Sequence, residues 1–201
     1  DIYLGAVPIT RDKFGFYING PGDVVEWAVH MRRFDEEATL DRLADRGLLD
    51  GVVIDQIADV ISDVHRKAPM RSGAPAAIAL HNVMKESLDE LALRKAIFPA
   101  ETVQPLRAAL LKAYRQNEML LFRRALNGRV RRCHGDLHLR NIVLQGNVPV
   151  LFDAIEFDES IATIDILYDL AFLIMDLHER GLHAHACRLL NHYLWLSNDE
   201  L

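Results

Sequence analysis

Cysteine is scarce. Cys133 and Cys187 are the two in 201 residues, so no disulfide framework is needed and a reducing, cytoplasmic setting is expected. A basic face is missing too. Lys and Arg number 23 against 29 Asp and Glu, for a net charge of −6 and a pI of about 5.8. That balance excludes the electrostatic footprint of a nucleic-acid-binding domain. It tolerates a cationic small substrate without demanding one. Apolar runs are short. "LAFLIM" (170–175) is among the longest, far below a membrane span, and no signal-peptide pattern is visible. There is no internal repeat, no low-complexity segment and no G-x-x-x-x-G-K-[ST] string.

Half the residues are hydrophobic and a quarter charged, the composition of an ordinary globular chain of one domain, with room for two unequal lobes. Residues 1–33 read as β. "IYLGAVPIT" is rich in β-formers, "TRDKFG" reads as a turn, and "FGFYI" and "VVEWAVHM" flank "NGPGD", which predicts a hairpin there. Helices follow. Asp35 is placed as an N-cap and Gly47 as a stop. Val53, Ile57, Ile61 and Val64 recur at helical spacing up to Pro69, and Leu80, Met84, Leu88 and Leu91 mark another helix. A long one from about Thr102 closes at Asn127-Gly128. An irregular stretch leads to two short strands, "NIVL" and "VPVLF", and two helices, about 163–178 and 182–196, end the chain. Strands, helices, a polar-edged hairpin and helices again make an α+β layout, not a βαβ alternation.

The chemistry concentrates in "RRCHGDLHLRNIVL", residues 131–144. Asp136 and Asn141 lie five residues apart in a loop that enters a strand, and Asp153 ends the partner strand. A tight hairpin would bring Asn141 and Asp153 together. An amide oxygen and a carboxylate are hard ligands suited to Mg²⁺, and Asp136 would be free to accept a hydroxyl proton. Phosphoryl transfer needs those three parts. A loop of polar turn formers is the bland alternative for each. Cys133 has no activating base beside it and reads as buried and inert. Arg129, Arg131 and Arg132 read as a solvated face, with a phosphate contact the alternative. His183, His185 and His192 sit on the last helix without a carboxylate pattern, which argues against a metal there.

"CHGDLHLRN" followed by "LFDAIEFD" resembles the catalytic and metal-binding segments of the aminoglycoside phosphotransferase-like kinases, which have a protein-kinase-like fold. Their loop reads H-G-D-x-H-x-x-N, with the metal aspartate some seventeen residues on, as here. "DILYDLAFLIMDL" (165–177) resembles the helix that follows. The "DAIEFD" and "YDLAFLIMDL" strings are most similar to bacterial kinase-like domains fused to a P-loop ATP-binding domain. The resemblance runs from about residue 24 and is sharpest over 134–177. It implies an ATP- and Mg²⁺-dependent transfer to a small-molecule hydroxyl, with Asp136 as base and Asn141 and Asp153 holding Mg²⁺. It implies that His134 braces the loop, that His138 lies near the transferred phosphate, and that Glu156 supports the metal site. Asp169 would brace the loop by accepting from backbone N–H groups. Residues 30–34, with His30, Met31 and Arg32, would form the hinge that meets adenine.

The chain departs from the family pattern. No phosphate-covering loop and no strand lysine are present, since "NGPG" lies in a turn and Lys13 is the one lysine before Lys67. Residues 1–33 are therefore expected to be the end of an N-lobe sheet, and 34–201 a helical C-lobe. The missing elements would precede residue 1, a fused P-loop domain would follow residue 201, and this chain alone would bind ATP weakly. Two other readings stay open: a kinase-like module that senses nucleotide for a fused ATPase, and a metallophosphoesterase using His138, Asp136 and further histidines. The residues between hinge and loop carry no readable code for the substrate.

Overall fold

The computed structural model describes residues 2–71 and 74–199, without the side chains of 74–77. Three antiparallel strands open the chain: β1 (Tyr3–Asp12), β2 (Gly15–Ile18) and β3 (Asp23–Met31), in the order β2-β1-β3. The β1–β2 turn is Lys13-Phe14, where the Asp12 carboxylate accepts from the Phe14 and Gly15 amides at 2.7 and 3.2 Å. The expected hairpin at "NGPGD" is overturned. β3 pairs with β1, Asp23 facing Arg11, so this segment crosses the end of β1 to reach its other edge. The crossing is tight. A Cβ on Gly22 (φ +104°) would sit 2.3 Å from the Arg11 carbonyl oxygen, which only glycine avoids.

Helices α1 (Leu40–Asp45), α2 (Gly51–Lys67), α3 (Ala74–Leu93) and α4 (Ala100–Leu126) follow. Asp35 caps a single 3₁₀ turn (Glu36–Ala38) ahead of α1, and Asp50 caps α2 by accepting from the Val53 amide at 2.9 Å. Gly47 and Gly128 supply the left-handed residue beyond α1 and α4. The buried stripe of α2 is Ile54, Ile57, Ala58, Ile61 and His65. The expected stripe is thus rotated by one residue at both ends, and Val64 is exposed.

The last third contains β4 (Val130–Arg132), β5 (Ile142–Gln145), β6 (Val148–Leu151), α5 (Glu159–Ala162), β7 (Thr163–Asp165), α6 (Ile166–Glu179) and α7 (His183–Ser197). β5 and β6 form the expected hairpin. The β4–β7 pair was not expected; it turns the supposedly irregular stretch into an edge that fixes where the loop carrying Asp136 starts. The main core joins α2, α6 and α7 through Ile57, Ile61, Leu170, Leu173, Leu189 and Tyr193, and it reaches the loop through Leu137 and Leu139. Each such aliphatic side chain contributes about 1.5–3 kcal/mol by burial, so the loop is anchored on the main core. The three arginines do not form a solvated face. Arg129 donates to the Ser197 and Asn198 carbonyls, Arg131 to those of Gly128, Arg66 and Ala68, and Arg132 to Glu159 and the Ile155 carbonyl. They tie β4 to its neighbours. Among the described residues no helix is long and apolar enough to cross a membrane.

Candidate active site

The β5–β6 hairpin sets the geometry. Its turn, Gly146-Asn147, has φ of +55° and +67°, the twist that a two-residue hairpin favours. Ile142 faces Leu151, and the Phe152 amide donates to the Asn141 carbonyl at 3.0 Å, so the pairing runs one step past the strands. Asn141 and Asp153 thereby emerge together at the open end. Asp153 holds φ of +61°, an uncommon state for a non-glycine residue, and its amide donates to the Tyr3 hydroxyl at 2.7 Å. That bond links β1 to the loop.

Asp136 is surrounded by donors. Its Oδ2 accepts from Asn141 Nδ2 at 3.0 Å and Arg140 Nη2 at 3.2 Å, and His138 Nε2 lies 3.2 Å from Oδ1. Asn141 Nδ2 also donates to the Asp136 carbonyl at 2.8 Å. His134 is buried; its Nε2 donates to the Phe152 carbonyl at 2.8 Å and its Nδ1 accepts from the Asp136 amide at 3.3 Å. His134 thus joins the loop to the hairpin and stays out of the cleft. His138 packs edge-on against Phe172, with centroids 5.6 Å apart, and lies 3.9 Å from Asp176.

Asp169, fully buried on α6, holds the loop from below. Its Oδ1 accepts from the Gly135 amide at 2.8 Å, and its Oδ2 accepts from the His134 amide at 3.2 Å and from His65 Nε2 at 3.0 Å. His65 Nδ1 in turn meets the Tyr193 hydroxyl at 2.7 Å. A proton on Nε2 satisfies every member: Tyr193 donates to His65, and His65 to Asp169. Burial pushes the Tyr193 phenol up, so it stays a donor. Cys133 lies in the same cluster. Burial, with Asp169 and Asp165 nearby, raises its thiol, and Sγ faces the Ile164 carbonyl at 3.6 Å.

A cleft of about 330 Å³ opens between the sheet and the loop, lined by Tyr3, Val29, Met31, Asp136, Asp153 and Glu156, among others. Met31 of the three hinge candidates is in it. His30 pairs with Gly5 on the opposite face of β3, and the Arg32 amide is engaged by the Ile2 carbonyl at 2.8 Å. The donor set suits a hard divalent cation. Among the described residues nothing donates to the side-chain oxygen of the buried Asn141, and the exposed carboxylates of Asp153 and Glu156, which line the cleft, have no partner, so hard oxygens remain unengaged there. The hydrolase reading finds less. Among the described residues, the group of three His, Cys or acidic side chains close enough to share an ion is His65, Cys133 and Asp169. Its atoms are already engaged as above.

Three contributors escaped the sequence reading. Tyr3 left no signal. Arg140 sits four residues after Asp136, a spacing that could have flagged it. His65 occupies an apolar-stripe position of α2, where a polar residue signals a buried partner.

The model of the phosphotransferase enzyme family matches residues 27–197. Among curated proteins, the chain is 27% identical over 166 residues to the uncharacterized protein Rv2004c of Mycobacterium tuberculosis and to the uncharacterized protein Mb2027c of Mycobacterium bovis. The match covers 80% of this chain and 33% of each relative, so the chain spans about a third of their length. No solved structure matches it significantly.

Proposed function

The chain belongs to the phosphotransferase enzyme family, and from that premise we propose that it moves the γ-phosphoryl group of ATP onto a hydroxyl of a small molecule. The observation that carries this is the Asp136 carboxylate, aimed by Asn141, His138 and Arg140 beside a cleft that also holds Asp153. The acceptor oxygen bonds to the γ-phosphorus as the bond to the β–γ bridging oxygen breaks. ADP leaves, and the hydroxyl proton passes to Asp136. Positioning supplies most of the rate in such a step, because the protein does little covalent chemistry. Asn141 and Asp153 would hold Mg²⁺, which when bound neutralises phosphate charge. Asn141 serves twice: its amide hydrogens point Asp136, while its oxygen is left for the ion. Met31 and Val29 form the apolar wall on which the base would rest.

The test is Asp136→Asn at saturating Mg-ATP, with phosphorylated products followed by mass spectrometry in a pool of small alcohols. Loss of a base costs about 10²–10⁴-fold, so products should vanish while nucleotide binding persists. Unchanged product formation would sink the proposal. The second reading is a kinase-like module that senses nucleotide. It gains if the wild-type chain binds Mg-ATP and forms no product.

A further inference from the structure

A second cavity, of about 470 Å³, lies behind the catalytic loop, between α3 and α4 on one side and α5, β7 and α6 on the other. That size suits a small-molecule site. Its wall is largely apolar: Leu80, Val83, Leu121, Ile161, Tyr168 and Phe172. Gly135 lines it, and the next residue, Asp136, lines the nucleotide-side cleft. The loop is therefore a partition with one opening on each side. Phe172 also carries the cavity wall to His138, which lies 3.2 Å from Asp136.

The charges around the cavity narrow its ligand. Among the described residues its lining includes the carboxylates of Glu86, Asp158 and Asp165 and no basic side chain. Asp165 is paired with Arg124 at 2.7 and 2.8 Å, and Asp158 accepts from Ser160 at 2.6 and 2.8 Å. Glu86 is the one acidic lining residue with no partner among the described residues. An anionic acceptor would meet no cation there, and a polycationic one would meet a single open carboxylate.

We propose that this cavity is the acceptor site and that it takes an uncharged alcohol whose bulk is apolar. The assignment rests on the phosphotransfer reading above and adds the substrate class to it. The bound alcohol would present its hydroxyl past Gly135 to Asp136, with its apolar body between α3 and α6. Transfer then proceeds as written above, with ATP as donor, ADP as leaving product and the proton on Asp136.

The test uses 2-naphthylethanol as apolar probe and glucosamine as polar control. Binding is read by equilibrium dialysis without nucleotide, on wild type, Val83→Phe and Ile161→Phe. Both positions are about half exposed, so circular dichroism should report an intact fold. The expected result is probe binding to wild type, weakened at least tenfold in both variants, and none for glucosamine. With Mg-ATP the naphthylethyl phosphate should form, and Asp136→Asn should abolish it. Absent binding, or binding that neither filled variant weakens, overturns the acceptor assignment even if ATP is consumed on another alcohol. Phosphorylation of glucosamine in preference to the probe overturns it too. Binding that the variants block, with no ester from any alcohol, sinks the phosphotransfer reading and the acceptor role with it.

Discussion

Replacing Asp169 with Asn keeps the side-chain shape and removes one acceptor oxygen from a fully buried position. In the native protein two oxygens serve three donors: the Gly135 amide, the His134 amide and His65 Nε2. With the amide oxygen turned to Gly135, the new NH₂ faces the other two. His65 can answer by moving its proton to Nδ1, because the Tyr193 hydroxyl can rotate to accept it. The His134 N–H has no such freedom. One bond to a charged acceptor is lost, worth about 1.5–3 kcal/mol, and one buried donor is left unpaired, worth about 1–3 kcal/mol. The two figures describe overlapping losses, so the expected destabilisation is about 2–4 kcal/mol. The urea midpoint should fall at unchanged slope. Amide exchange at His134 should accelerate ahead of the α2–α7 core. Phosphotransfer should drop as well, since Asp136 follows two residues later in the same loop. A midpoint within about 0.5 kcal/mol of wild type, with native exchange at His134, would refute the brace.

Gly135→Ala should damage the same loop by a different route: φ is +82° and the new Cβ would lie 2.9 Å from Ile155 Cγ1. A loss of about 1–3 kcal/mol in thermal or urea unfolding is expected, and a wild-type midpoint would show that the loop can relax. Alkaline stability draws on Cys133 and Tyr193, whose thiol and phenol burial raises above their ordinary values of 9.0 and 10.0, with Tyr168 and Tyr114 raised the same way. An acid whose folded pKa is raised stabilises fully below its unfolded pKa and loses that stabilisation as pH climbs toward the folded value. The urea midpoint should therefore hold to about pH 8 and then fall by up to ~1.4 kcal/mol per pH unit as the unfolded thiol ionises. It should steepen beyond about pH 10 as tyrosine joins. Cys133→Ala should flatten the first part, and an unchanged profile in that variant would contradict the assignment.

The elements that could be read in advance share one property: their determinants are local. Asp35 caps within two residues, Gly47 and Gly128 follow the helices they end, and Gly146-Asn147 closes the hairpin that carries Asn141 and Asp153. The placement of Asn141 and Asp153 at the open end of one hairpin was legible for that reason. What failed was long-range or degenerate. The β4–β7 strands are three residues each and more than thirty apart, too short to leave a period-2 pattern. "NGPGD" has the turn chemistry of a hairpin, yet the same glycines serve a crossing, and only the pairing of β3 with β1 decides between them. The brace lies between these cases. Ile54, Ile57, Ala58 and Ile61 recur at helical spacing, and the next inward position is His65. A histidine there can be buried only if both ring nitrogens find partners. The stripe itself thus called for one acceptor and one donor deep in the core. Asp169 and Tyr193, which occupy inward positions of α6 and α7, are the residues that meet that demand, and through them the packing of three helices reaches the loop that carries Asp136.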